Sequence, residues 1–297
     1  MSGSMATIAR LVRKIVPLEP RIGIAAWLSR NRWIPYVGRW LDALVRDLEA
    51  IDPKRYHKFL WEKHLDSYGR RYGPAELFST HTLNGTTEAY SAFMQDLAAA
   101  LERLGIDGTV QGVLDVGCSV GHVLRALETE VMHEAEVLVG VDIDRHATAS
   151  GSAYLSEVGS KICLLCGDLE ELDRLLDMRT FDFSFAAGSL SYLNEADTQN
   201  AVWTILSHTD KLAAFIGLAH PHGPNDELQA SVFRDQLGSM WTHNFGAMVE
   251  AKGWEIVSTR WKPPSGSDSQ GLYSVFASPP SGPFRRSSDR TPTSNIA

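Results

Sequence analysis

The sequence predicts an α/β fold built on a doubly wound, mostly parallel sheet. Three observations carry this expectation. From residue 110 onward, short runs rich in β-branched and aromatic residues alternate with helical segments, the pattern of strands joined by crossover helices. A glycine-rich loop, Gly117-Cys118-Ser119-Val120-Gly121, follows the first of those runs directly. The 297 residues, 44% of them hydrophobic, suffice to bury one full core and carry a smaller extra element.

Taken in order, Val37, Trp40, Leu41, Leu44, Val45 and Leu48 recur at helical spacing. Asp52-Pro53 then offers a cap and a first-turn proline for a second helix, continued by Tyr56, Phe59, Leu60 and Tyr68 to Gly69. Residues 69–85 are rich in Gly, Ser and Thr and read as a loop, and Thr86 to Leu104 returns to helix, ended by Gly105. Strands are expected at Val110 to Val116, Val137 to Asp142, Lys161 to Cys166, Phe181 to Ala187 and Leu212 to Ala219. Gly121 to Glu130, Arg145 to Val158, Glu170 to Asp177 and Glu195 to Ser207 are their right-handed crossovers. A long helix from about Glu227 to Lys252 is expected next, then a closing hairpin of Trp254 to Trp261 and Leu272 to Ala277. Beyond Pro279 the Pro/Ser/Arg/Thr composition cannot bury enough surface to order itself. The expected division is a helical extension and cap over 1–105, a core over 106–279 and a disordered tail over 280–297.

Composition excludes several classes. Arg or Lys interrupts every apolar run before it reaches the roughly 18 to 20 residues of a membrane span. Three cysteines and no apolar leader ending in a small-residue cleavage site argue against export, so a cytoplasmic address is expected. The net charge of -8 conceals an asymmetry: Arg10, Arg13, Lys14, Arg21, Arg30, Arg32 and Arg39 stand against Glu19 alone in the first forty residues. The acidic body repels phosphate backbones, which disfavours nucleic acid as substrate. The basic leader, interleaved with Ile8, Leu11, Val12, Ile15, Trp27, Trp33 and Trp40, fits either a peripheral membrane contact or a helix docked on this or a sister subunit.

A parallel sheet binds ligands at the carboxyl ends of its strands, which directs attention to the loop after residue 116. Gly117 and Gly121 allow a tight turn and close approach of a ligand, and the next helix offers free N–H groups. Asp115 stands at the strand end just before this loop and would repel a pyrophosphate, and Ser119 breaks the Gly-x-Gly-x-x-Gly spacing of dinucleotide sites. No Gly-Lys-Ser/Thr ending follows for a nucleoside triphosphate. S-adenosylmethionine instead brings an ammonium and a sulfonium, both attracted by a nearby anion. Asp142 ends the second strand about twenty residues beyond Gly121, the separation expected of a ribose-binding carboxylate, although capping of the following helix is a competing role. Asp168 closes the third strand, where it could accept the adenine amino group or cap a helix, with Ile143 and Leu169 packing on the ring.

Together, Val113-Leu114-Asp115-Val116-Gly117-Cys118-Ser119-Val120-Gly121, Val139-Gly140-Val141-Asp142-Ile143, Gly167-Asp168 and Phe181-Asp182-Phe183-Ser184-Phe185 resemble the successive motifs of class I S-adenosylmethionine-dependent methyltransferases. The resemblance spans roughly Ile106 to Ala277. It implies a seven-stranded sheet whose last strand is antiparallel. It also implies that Asp115, Gly117, Cys118, Ser119 and Gly121 surround the methionine moiety, Asp142 the ribose, Asp168 the adenine, and the backbone at Ala187 and Gly188 the amino group. Ser119 departs from the family's usual glycine.

Methyl transfer needs chiefly an acceptor held against the methyl in a dry pocket, and a base is helpful rather than essential. Tyr192, in Gly188-Ser189-Leu190-Ser191-Tyr192, is a candidate to orient a hydroxyl acceptor, with core packing as the alternative. His220 and His222 after the fifth strand, and His243 in the following helix, are the candidate bases. Cys163 and Cys166 lie three apart on a strand, hence on opposite faces, which suits structural cysteines better than a metal site. No Asp/Asn-Pro-Pro-aromatic tetrad and no paired-glutamate loop follow the fourth strand, which favours a small-molecule or saccharide acceptor methylated at oxygen. Two rival readings stay open at this stage: a regulatory module that binds S-adenosylmethionine without catalysis, and a nicotinamide oxidoreductase.

Overall fold

The computed structural model describes residues 11–12, 14–30, 44–45, 48–49, 51–62, 78–79 and 83, and then 87–280 except 235–236, 238 and 266–269. Trp33 and Trp40 of the leader, the expected loop over most of 69–85 and the tail beyond Pro280 lie outside the described residues.

Its centre is a seven-stranded sheet in the order β3-β2-β1-β4-β5-β9-β8. The strands are β1 (Gly112–Val116), β2 (Val137–Asp142), β3 (Cys163–Cys166), β4 (Phe181–Ala187), β5 (Thr209–Gly217), β8 (Glu255–Lys262) and β9 (Leu272–Ser278). β1 to β5 pair in parallel, and β9 runs antiparallel to both β5 and β8, so the implied antiparallel last strand is present. Two strands pair apart from this sheet, β6 (Val232–Arg234) with β7 (Met240–Thr242). Helices α1 (Leu18–Arg30) and α2 (Pro53–Glu62) precede α3 (Thr87–Leu104). Next come α4 (His122–Glu130), α5 (Arg145–Glu157), α6 (Leu172–Leu176), α7 (Glu195–Ser207) and α8 (Phe245–Ala251).

Successive strand residues face opposite sides of the sheet, and the two sides build two cores. Val113, Phe183 and Phe185 pack on one side against Phe93 and Leu97 of α3 and Leu124 and Leu127 of α4. Leu114, Val116 and Phe215 pack on the other against α6, α7 and Val249 of α8. A small separate cluster of Ala25, Leu44, Val45 and Phe59 forms the heart of the N-terminal helices.

The local signals work as their chemistry requires. Gly105, at φ +62, ends α3 with its own N–H bonded to the Glu102 carbonyl and that of Ile106 bonded to Leu101, a left-handed helix stop. Asp52 Oδ1 accepts the Arg55 N–H at 3.0 Å, capping α2 just before Pro53.

One expected element is corrected. Between Glu227 and Lys252 the chain forms a 3-10 turn at Asn225–Glu227, then the β6–β7 pair, and becomes helical only in α8. Phe233 and Trp241 pair across that hairpin with ring centroids 5.0 Å apart, and Ser239 enters β7 with φ +58. Asn244 then caps α8 by accepting the Ala247 N–H at 2.9 Å. A cross-strand aromatic pair and an internal cap override the apolar spacing that suggested one helix.

Candidate active site

The order of the parallel strands reverses between β1 and β4, since β2 and β3 lie to one side and β5 to the other. That switch point is where the carboxyl ends of the strands leave a crevice. The chain closes it tightly. Gly117 adopts φ +85, and a Cβ there would stand 2.2 Å from the Ser189 Cβ, so glycine is required. Ser189 Oγ donates to the Val116 carbonyl at 2.8 Å and ties the loop after β4 to the end of β1.

Ser119 follows in a left-handed conformation, φ +52, and its N–H donates to Asp142 Oδ2 at 2.7 Å. The Asp144 N–H donates to Asp142 Oδ1 at 2.8 Å. Asp144, not Asp142, caps α5, accepting from His146 and Ala147. Asp142 is thereby fixed by two backbone groups and keeps acceptor capacity on both oxygens. Burial pushes its carboxyl up to about 6, against the pull of those N–H groups. Ser119 Oγ is buried and has no hydrogen-bond partner among the described residues.

A cavity of about 220 Å³ opens from this loop. Its lining includes Gly117, Ser119, Asp142 and Ile143, with Gly167, Asp168 and Leu169 from the end of β3. It also includes Ala187 to Leu193, with Leu218, Met240 and Gln270. Lys54, His57, Lys58 and Trp61 of α2 close it from above. Asp168 accepts Lys58 Nζ on Oδ2 at 2.5 Å and the Glu170 N–H on Oδ1 at 3.1 Å. Burial opposes its ionisation, yet Lys58 and the backbone bring its pKa below the ordinary value. Asp168 therefore caps the turn after β3 and faces the cavity as well.

Nine of the residues singled out in the sequence thus share one wall system: Gly117, Ser119, Asp142, Ile143, Asp168, Leu169, Ala187, Gly188 and Tyr192. Six others stand off it. Asp115 is 2% exposed behind the loop, on the sheet face of Val113 and Phe185; burial, reinforced by the charge of Asp142, pushes its carboxyl well above the carboxylate range. Cys118 is buried with its Sγ against Gly140, and Gly121 starts α4 at φ +82 against Leu164. These three shape the loop from behind.

The three candidate histidines are also elsewhere. His243 is buried between β7 and α8, not within a helix, its Nε2 3.2 Å from the Leu190 carbonyl and its Nδ1 2.8 Å from Ser231 Oγ. A carbonyl only accepts, so Nε2 carries the proton and Nδ1 accepts from Ser231. Burial drives its pKa down to about 4, leaving a neutral ring that props the loop bearing Tyr192. His220 is held through its own N–H by Asn225 Oδ1 at 2.7 Å, with its ring beside exposed His222 and a pKa lowered by burial and by His222.

Sequence reasoning missed the wall supplied by α2. Lys54, His57, Lys58 and Trp61 repeat at three- and four-residue steps, one face of a helix, opposite the packed Phe59. That polar and aromatic stripe was the available signal. His57 Nε2 faces the Ser239 carbonyl at 3.0 Å, which makes Nε2 the donor. Cys163 and Cys166 are free and exposed on edge strand β3. Among the described residues no group of three or more His, Cys, Asp or Glu side chains could hold a metal ion.

Comparison with known proteins agrees with this geometry. Residues 113–211 match the family model of a methyltransferase domain. No curated protein matches the sequence. Among solved structures, magnesium protoporphyrin IX methyltransferase from Synechocystis PCC 6803 with S-adenosylmethionine bound superposes with a TM-score of 0.52 at 15% identity, over 77% of this chain and 98% of that one. Its complex with S-adenosylhomocysteine gives 0.54 at 15% identity, over 77% and 100%. The cyclase SpnF gives 0.50 at 16% identity, over 63% and 82%. At such identities the likeness is one of fold, and a cyclase on the same fold shows that fold leaves the chemistry open. The match over 113–211, on a sheet with these motifs at its switch point, shows that the chain carries a methyltransferase domain on the fold of S-adenosylmethionine-bound methyltransferases.

Proposed function

We propose that this enzyme methylates an oxygen of a small-molecule or saccharide acceptor bound under α2, beside a cofactor held by the β1 and β2 loops. One observation carries the reading: a single cavity is lined both by the fixed acid Asp142 and the bent Gly117–Ser119 turn and by Tyr192, His57 and Trp61. The residues suit the cofactor chemically. Asp142 offers acceptor oxygens for two ribose hydroxyls, Ile143 and Leu169 offer apolar faces to the adenine, and Asp168 an acceptor to its amino group. The unpartnered Ser119 hydroxyl supplies one further hydrogen bond, and Asp142, ionised above about pH 6, suits a ligand bearing hydroxyls and positive charge better than a pyrophosphate. When bound, S-adenosylmethionine supplies an activated methyl: the acceptor oxygen forms the new bond, the carbon–sulfur bond breaks with its electron pair passing to sulfur, and the acceptor proton leaves to a base or water.

The chain's own residues orient and exclude. Tyr192 and the helix-borne rings shield the acceptor from water, and Tyr192 is placed to hydrogen-bond a hydroxyl. His57, which lines the cavity beside Tyr192, is the nearest histidine to the acceptor wall and takes the role of proton acceptor that the sequence assigned to His220, His222 or His243. The test is calorimetry with S-adenosylmethionine and S-adenosylhomocysteine, followed by tritium transfer to hydroxylated, amine and glycan acceptors. Transfer to an oxygen supports the proposal. Transfer confined to amines, or binding without transfer to any acceptor, refutes it.

A further inference from the structure

The chamber under α2 is walled by rings. Trp61 and His57, one helical turn apart, both meet Tyr192, with centroids 5.3 and 4.8 Å away and planes inclined by 66° and 55°. Met240 and Leu218 complete the surface with a thioether and an aliphatic side chain, groups that pack well against aromatic edges.

Several of its polar side chains are already engaged by the protein, while the buried Ser191 hydroxyl has no hydrogen-bond partner among the described residues and can serve one acceptor hydroxyl. His57 Nε2 donates to the Ser239 carbonyl at 3.0 Å and Ser189 Oγ to the Val116 carbonyl at 2.8 Å. The Lys54 ammonium lies 2.7 Å from Glu170 and 3.0 Å from Asp197, and that of Lys58 lies 2.5 Å from Asp168. Both lysines are neutralised by carboxylates, so neither is left as an anchor for an anion. A saccharide presents a hydroxyl on nearly every carbon, and sealing it here would strand several of them without partners, each a cost of the kind that buried polar groups avoid. A flat ring system meets the opposite situation, because faces and edges are what this wall presents.

We infer that the acceptor is a neutral, planar aromatic molecule carrying the methylated hydroxyl, packed on Trp61 and Tyr192, and not a saccharide. The inference deepens the proposed methyl transfer and rests on it; the transfer step is the one balanced above.

The test uses the full-length protein saturated with S-adenosylhomocysteine, whose own binding is measured first. Failure of that binding sinks the cofactor reading before any acceptor is added. With the cofactor product in place, 7-hydroxycoumarin and 2-naphthol are titrated by fluorescence, and methyl α-D-glucopyranoside by calorimetry. Both planar probes are expected to bind at least about tenfold more tightly than the glucoside. Trp61→Ala is expected to weaken them about tenfold, Trp61→Phe to restore most of the loss, and S-adenosylhomocysteine affinity to stay constant as the check on folding. Tyr192→Leu gives an independent removal should Trp61→Ala not fold. The inference is overturned if the glucoside binds as tightly as the planar probes. It is equally overturned if those probes show no binding up to about 1 mM, or binding indifferent to both wall residues.

Discussion

Asp142→Ala offers the sharpest test of the site, because the carboxylate does two things at once. It accepts the Ser119 and Asp144 N–H groups at 2.7 and 2.8 Å, and it presents its remaining lone pairs to the cavity. Removing it leaves two loop N–H groups and the ligand hydroxyls without an acceptor. Each unpartnered buried group costs roughly 1 to 3 kcal/mol, and water entering the cavity recovers part of it. The expected net loss of S-adenosylhomocysteine affinity is about 1 to 3 kcal/mol, or roughly 5- to 150-fold in Kd. Calorimetry near pH 7.5, with a thermal melt to confirm folding, reads it. A Kd within twofold of the parent would remove Asp142 from the cofactor site.

The same residue predicts a pH profile with a defined sign. Its folded carboxyl is raised to about 6, above the ordinary carboxylate value of about 3.9. The ligand-free fold therefore holds its full contribution from this group below about pH 4 and loses it as pH rises through 6. Ligand binding runs the other way, since the hydroxyls need the ionised acceptor: affinity is constant above about pH 7 and falls as pH drops through 6, and the fall is absent in Asp142→Ala. Parallel profiles for the two proteins would contradict this.

Ser119→Gly relieves a non-glycine residue at φ +52 and is expected to stabilise the protein by about 1 kcal/mol, some 2 to 4 °C in melting temperature; an unchanged or lower Tm argues against strain there. His57→Gln is expected to lower the transfer rate roughly 100-fold while S-adenosylhomocysteine affinity is kept, and an unaltered rate would return the proton to water. In the leader, Leu11, Ile15 and Trp27 are 57%, 69% and 52% exposed beside basic residues, so the full-length chain is expected to sediment with vesicles containing anionic lipid and to be released by salt. Sedimentation independent of lipid charge, or a concentration-dependent dimer with no vesicle binding, would count against a membrane contact.

Much of the fold was legible because buried parallel strands are continuous apolar runs. Phe181–Ala187 and Val137–Asp142 were read to the residue, and Glu195–Ser207 was bounded by its own cap at Asn194. The β6–β7 segment was not, since Val232, Phe233, Met240 and Trp241 fit a helical stripe as easily as two three-residue strands. At the site, motif spacing located the loops but not which acid faces the ligand. Alternation along β1 turns Asp115 to the side of Val113 and gives the wall to Val116, while Asp142 reaches the cavity from the neighbouring strand. The stripe of Lys54, His57, Lys58 and Trp61 marks a polar and aromatic face of α2, but not where that face comes to rest, which depends on long-range packing. His243 illustrates the converse: a histidine chosen for its titration is neutral and structural once its surroundings are dry.

The helix that lines the cavity meets the remainder through the ion pairs of Lys54 with Glu170 and Asp197 and of Lys58 with Asp168, the buried His57–Ser239 hydrogen bond and two ring contacts at Tyr192, while its apolar side belongs to a cluster of its own. Ion pairs whose members keep access to water contribute little adhesion, about 0 to 1 kcal/mol each. The floor, in contrast, is riveted: the Gly117–Ser189 contact leaves no slack between the turns after β1 and β4. The cavity therefore has one wall set by backbone packing and another carried by the side chains of a helix with a separate core. Exchanging His57 or Trp61 alters the wall that meets Tyr192, whereas Lys58 is tied to Asp168 and its exchange reaches the end of β3.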